Sequence, residues 1–102
     1  MLFFVARRGH PIFLTINGRK ITKVVIDSHY ELRHRDSIND EIILELVRTL
    51  DGAEELPKSV DEDGYEYYVS DKINLNDKMY KLVWLLHENE IFIGVVNAHR
   101  RD

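Results

Sequence analysis

Two short clusters hold the side chains of this 102-residue chain that could move protons and hold anions. The first runs from His29 to Arg35 as HYELRHR, two imidazoles and two guanidiniums directly ahead of an amphipathic stretch. The second is His99-Arg100-Arg101, next to the last residue. A guanidinium grips a phosphate through paired N–H donors, and an imidazole exchanges a proton near neutral pH. Cleaving a phosphodiester without a metal takes a base for the 2′-hydroxyl and an acid for the leaving 5′-oxygen. It also takes cations for the charge that builds on phosphorus. His29, His34, Arg33 and His99 are therefore the candidate catalytic groups, with Tyr30, Arg35, Arg100 and Arg101 as candidate substrate contacts. If His29–Arg35 is helical, His29 and Arg33 share one face while Tyr30 and His34 share its neighbour. Which imidazole faces a site stays open. The plain alternatives are a solvated helix entry with a Glu31–Arg35 pair and a basic tail that keeps the final strand soluble.

The remaining candidates are weaker. His10 precedes Pro11 in an extended or turn segment and His87 ends a strand, so both are read as structural or solvent-facing. Tyr65, Tyr67 and Tyr68 could stack bases, but alternation of Tyr65, Tyr67 and Val69 along one strand face favours packing. The five-residue separation of His29 and His34 does not put two ligands on one helical face, and no HExxH motif exists. No phosphate-binding glycine loop or serine-hydrolase elbow is present either, so no metal or cofactor is expected.

Bulk composition narrows the class. A chain of this length makes one domain with one modest core, and 44% hydrophobic against 31% charged residues is ordinary for a soluble globular protein. With no cysteine there is no disulfide and no thiolate metal site, which fits a reducing compartment. The first apolar run is too short and its charges follow it, so it does not read as a signal peptide, and no stretch is long enough to span a bilayer. A cytoplasmic protein is expected. The net charge of −4 is uneven: residues 1–50 balance at +2 and residues 51–102 at −6. Seven acids against one lysine between Asp51 and Glu66 account for most of that, an acidic segment on a mildly basic body.

The elements that must position the clusters follow from pattern. IFLTI at 12–16, Asn17-Gly18 and ITKVVID at 21–27 predict a hairpin, because both turn positions favour positive φ and the return is β-branched. Ser37 is the predicted N-cap of a helix carrying Ile38, Ile42, Ile43, Leu46, Val47 and Leu50 on one face, with Asp40 or Glu41 in its first turn. Asp51-Gly52 closes it, and an acidic loop with Pro57 and Gly64 follows. YEYYVSDKINL, KMYKLVWLLHE and IFIGVVNAH predict three more strands, with a turn at Glu88-Asn89-Glu90. The expected fold is α+β: an antiparallel sheet with an N-terminal hairpin and one main helix on one face, in the order β-β-α-β-β-β.

The stretch HYELRHRDSINDEII and the terminal IFIGVVNAHRR resemble the small RelE-like and BrnT-like ribonuclease toxins and the related DUF4258-type domains. Arg33-His34 ahead of Ile38 is similar to the Lys-His pair of BrnT-like proteins, and His29 with Arg33 to the His-x-x-x-Arg of DUF4258-type domains. His99 falls where the last strand of RelE-like toxins carries a catalytic Tyr or His. The resemblance spans about residues 20–102 and implies a single RelE-like domain over 1–102. It further implies an endoribonuclease toxin, with RNA or the ribosome as target and an antitoxin protein as partner, and no membrane. Two other classes remain. One is a non-catalytic binding module that holds a basic partner through the acidic loop 51–66 and pairs a peptide strand at a sheet edge. The other is an acid–base enzyme acting on a small anionic metabolite.

Overall fold

A computed structural model describes residues 7–27 and 38–101. The hairpin forms as its sequence dictates, but its first strand is longer than the apolar run. β1 spans Arg7–Ile16 and β2 spans Arg19–Asp27. Asn17 (φ 54°) and Gly18 (φ 73°) both adopt the left-handed conformation that a two-residue hairpin turn requires.

The helix α1 is shorter than the apolar periodicity, at Asp40–Arg48. Its N-cap is Asn39 and not Ser37, which lies outside the described residues. Asn39 is extended, and its side-chain oxygen accepts the Ile42 N–H at 2.9 Å. Asp40 and Glu41 place negative charge in the first turn, as the helix dipole favours. The helix stops at Thr49, and Gly52 (φ 84°) belongs to the turn beyond. That turn is tied to β1: Thr15 N–H donates to the Asp51 carboxylate at 2.9 Å, and Gly52 N–H donates to Thr15 C=O at 2.7 Å. These bonds occupy outward-facing backbone groups of an edge strand that would otherwise invite pairing.

A two-residue strand, β3 (Ser59–Val60), interrupts the acidic loop and was not expected from sequence. β4 (Tyr65–Leu75), β5 (Lys78–His87) and β6 (Phe92–Arg100) follow as an antiparallel meander. All six strands form one sheet in the order β1-β2-β6-β5-β4-β3. The sheet is not purely antiparallel, because β6 pairs in parallel with β2, Val24 beside Ile93 and Ile26 beside Val95. The reason is the direction of α1. It carries the chain back to the end where β2 began, so β4, β5 and β6 leave the last strand running with β2.

Strand alternation divides the sheet into two faces. One face packs Ile12, Leu14, Ile16, Ile21, Val24, Ile26, Leu82, Trp84, Ile93, Val95 and Ala98 against Ile43, Leu46, Val47 and Leu50 around α1. Tyr68 stacks on Trp84 with ring centroids 4.2 Å apart and planes 8° from parallel, and Trp84 Nε1–H donates to Ser70 Oγ at 3.0 Å. Val25 and Leu85 are buried on the opposite face. Among the described residues, no helix is long and apolar enough to cross a membrane.

Candidate functional site

The chain leaves the sheet at Asp27, at the end of β2, and re-enters the described structure at Ile38, immediately before the cap of α1. Cross-strand register places the first of these points at one end of the sheet, and the contacts of Asp40 with Arg8 and His10 bring the start of α1 to the same end. Arg7 lies opposite Asp27 and Arg8 opposite Ile26, and Ile26 lies beside Val95 of β6. β6 runs on from Val95 toward the same end and finishes at Arg100. The rim so defined collects the exit from β2, the entry to α1, the start of β1 and the finish of β6.

The first residues built into this rim are Arg8 and His10. Two apart on an extended strand, they project from one face, the face that α1 covers. Asp40 meets them from the first turn of α1. Arg8 grips its carboxylate through Nε at 2.9 Å and Nη2 at 2.6 Å, and His10 Nε2 lies 2.8 Å from Oδ2. The side chains of Arg8 and His10 are each 32% exposed and that of Asp40 26%, so the group opens to solvent. A bidentate guanidinium–carboxylate pair is among the stronger and more directional contacts of its kind. It fixes the amino end of the helix on the edge strand. Sequence reading set His10 aside, gave Asp40 only a place in the first turn of the helix, and did not single out Arg8. The available signal was the same-face spacing of Arg8 and His10, hidden because β1 was expected to begin at Ile12.

Of the residues expected to do chemistry, His29, Tyr30, Arg33, His34 and Arg35 lie outside the described residues. The C-terminal cluster is placed, and strand alternation splits it. Arg100 stands opposite Tyr80, whose ring is buried in the core, so it projects from the α1 face together with Arg8 and His10. His99 stands opposite Lys81 and projects from the other face. Arg101 continues past β6, with its N–H donated to Met79 C=O at 2.8 Å and its guanidinium paired with Asp71. Arg8 and Arg100 share a face and a rim but not a contact. Two strand spacings and five residues separate them, roughly 15–20 Å between backbones.

Several other polar groups are committed to the fold. At the far end of the sheet Arg19 holds Glu66 bidentately at 2.7 and 3.1 Å. Tyr68 donates its hydroxyl to the same carboxylate at 3.1 Å, and Asn17 donates to Tyr68 at 3.1 Å. The Arg19 bonds hold the Glu66 carboxyl below its usual range, and Glu66 in turn raises Arg19. His87 accepts the Asn89 N–H at Nδ1 (3.1 Å), so its proton resides on Nε2, which donates to Asp63 C=O at 3.0 Å. Tyr65 packs edge-on against that ring at 4.9 Å. The three clustered tyrosines thus have structural partners, as alternation favoured.

No family model, curated protein or solved structure matches this chain. The functional reading therefore rests on the rim.

Proposed function

We propose that the protein is a metal-independent endoribonuclease of the toxin type, neutralised by a partner antitoxin, with its active site on the rim where β2, α1, β1 and β6 meet. One observation supports this reading above the others. Asp27 and Ile38, which bracket the His29–Arg35 cluster in the chain, lie at the same sheet end as His99–Arg101. The points at which the chain departs toward and returns from the first cluster thus share a sheet end with the second, which supports assigning both to one site. In the reaction an imidazole, His29 or His34, takes the 2′-hydroxyl proton as O2′ bonds phosphorus. The P–O5′ bond breaks, and His99 returns a proton to the leaving oxygen. Arg33, Arg35 and Arg100 carry the charge of the pentavalent phosphorus, and Tyr30 and Arg101 contact the flanking nucleotide.

Inducible expression with RNA end-mapping tests the reading. Growth arrest and fragments ending in 2′,3′-cyclic phosphate are expected. A harmless wild-type protein that leaves RNA intact, with and without ribosomes, overturns it. Full cleavage by His99→Ala removes His99 from the site while leaving the activity.

A second reading has its own observation. Leu56 is 90% exposed and Val60 58% exposed, flanked by the exposed carboxylates of Glu54, Glu55 and Glu62. An apolar pair inside an acidic loop suits a basic amphipathic segment of another protein. The sheet-edge part of that reading is less favoured, since β4 has a register shift between Ser70 and Ile73 and the β1 edge is capped at Thr15. Binding to a defined basic peptide that survives Leu56→Ser and high salt would count against it.

A further inference from the structure

We infer that His10 and Asp40 form an acid–base dyad, in which His10 Nδ1 is the proton acceptor that activates the 2′-hydroxyl of RNA at the rim. The inference rests on the endoribonuclease reading but reassigns two of its steps: His10 replaces His29 or His34 as the base, and water replaces His99, which projects from the other face of the sheet, as the source of the leaving-group proton.

The geometry separates this role from anchoring. Arg8 by itself suffices to hold Asp40 on β1, because Nε and Nη2 between them engage both carboxylate oxygens. The 2.8 Å bond from His10 adds nothing that such an anchor requires. Its consequence falls on the imidazole. A carboxylate only accepts, so the shared proton resides on His10 Nε2 and the basic lone pair is left on Nδ1. Among the described residues, Nδ1 makes no hydrogen bond. The ring is about one-third exposed, and Ile12, two residues on along the same face, is buried beneath the helix. His10 therefore stands at the boundary between core and solvent, with one nitrogen fixed and the other available. A carboxylate that sets the tautomer of a histidine and stabilises the imidazolium formed on proton uptake is the arrangement general-base catalysis requires. Arg8 shares the carboxylate and limits its rotation, and α1 presents it from a capped first turn.

The step balances without a metal or an oxidant. Nδ1 takes the proton of the 2′-hydroxyl as O2′ bonds phosphorus. The P–O5′ bond breaks, and the leaving oxygen takes a proton from water. The products are a 2′,3′-cyclic phosphate and a 5′-hydroxyl, and the imidazolium returns its proton to solvent. His10 is the catalytic residue of the pair, and Asp40 is a positioning residue.

The test combines cleavage assays with nitrogen NMR of the full chain. Histidine ring spectra of the wild type are expected to show His10 protonated at Nε2 and bare at Nδ1, and a ring protonated at Nδ1 overturns the assignment. His10→Asn is expected to lower RNA cleavage at least 100-fold, the smaller end of what a positioned base supplies, with its melting transition retained because Arg8 still holds Asp40. Asp40→Asn keeps the shape, and its amide oxygen is expected at the Oδ2 place that Arg8 Nε and His10 Nε2 share, so the tautomer is retained while the negative charge that stabilises the imidazolium is lost. An unchanged ring spectrum with a loss of cleavage of similar size is expected. This second variant decides the matter if His10→Asn does not fold. Wild-type cleavage retained in both variants overturns the dyad and leaves the endoribonuclease reading standing. Absence of cleavage by the wild type overturns that reading and the dyad with it.

Discussion

Tyr67 donates its hydroxyl to Asp61 at 3.2 Å, and Asp61 also accepts the N–H groups of Asp63 and Tyr65 at 2.9 and 3.0 Å. Partial desolvation and the Asp61 carboxylate push the Tyr67 hydroxyl up to about 12. Desolvation works to raise Asp61, but the three donors outweigh it and hold the carboxyl below its ordinary range. A raised tyrosine contributes stability that is complete below the unfolded value of 10.0 and disappears as pH climbs through about 12. Ultraviolet titration should show one tyrosine ionising well after the rest, and Tyr67→Phe should remove that late step. Glu66 works at the other end of the scale. Its carboxyl is lowered by Arg19, so its contribution is present above the unfolded value of 4.5 and is lost as pH falls through the folded one. The gap in melting temperature between wild type and Glu66→Gln should be widest near about pH 6 and close toward about pH 3. Neither role was legible from composition, where Asp61 and Glu66 counted only as two acids of a charged loop. Both carboxylates are spent on fixing the start of β4.

At the scale of elements, the helix shows what periodicity conveys and what it omits. Apolar spacing located α1 and the face it buries, because burial drives that pattern. It placed the cap at Ser37 where the structure has Asn39, since both side chains accept backbone N–H bonds equally well. The choice follows from where Ile38 must sit: it is 3% exposed, and the backbone turns into the helix only after that side chain is buried. Asn39→Ala should therefore cost about 1 kcal/mol of unfolding free energy in denaturant melts, the usual value of a lost cap. The hairpin turn was legible because Asn17-Gly18 is a local instruction, whereas the extension of β1 back to Arg7, ahead of the apolar run, was not. The tight turn between β4 and β5 was not, although Asn76 (φ 53°) and Asp77 (φ 66°) adopt the same left-handed conformation. Neither position is glycine, and asparagine and aspartate tolerate that region without announcing it. The parallel pairing of β2 with β6 is a fact of topology. No residue in either strand encodes it, and it appears only once the direction of α1 is fixed.

At the scale of the whole molecule, the sequence located the histidine and arginine clusters but not the sheet end where β1 starts and β2 and β6 finish. That arrangement depends on register across three strands. Alternation then separates Arg100 from His99, a split that adjacency in the chain conceals. Charge is the remaining property at this scale. On the proposed ribonuclease reading, a net charge of −4 makes RNA approach against the protein's own long-range field. The exposed carboxylates of Glu54, Glu55 and Glu62 lie in the segment beyond α1, and Asn17 accepts the Glu55 N–H at 2.7 Å, which fixes the start of that segment on the hairpin turn. The hairpin turn is at the sheet end opposite the rim. Replacing all three with glutamine takes the formal charge from −4 to −1 without altering any contact that anchors a strand. RNA association by the triple variant should quicken at low salt, with the bond-breaking step unchanged. The advantage should fade as the screening length contracts to about 3 Å near 1 M salt. If the acidic segment is instead the docking surface for a basic protein, the same variant should lose that partner and gain nothing toward RNA. One set of substitutions, read by salt-dependent binding to both ligands, therefore separates a repulsive acidic field from a recognition surface.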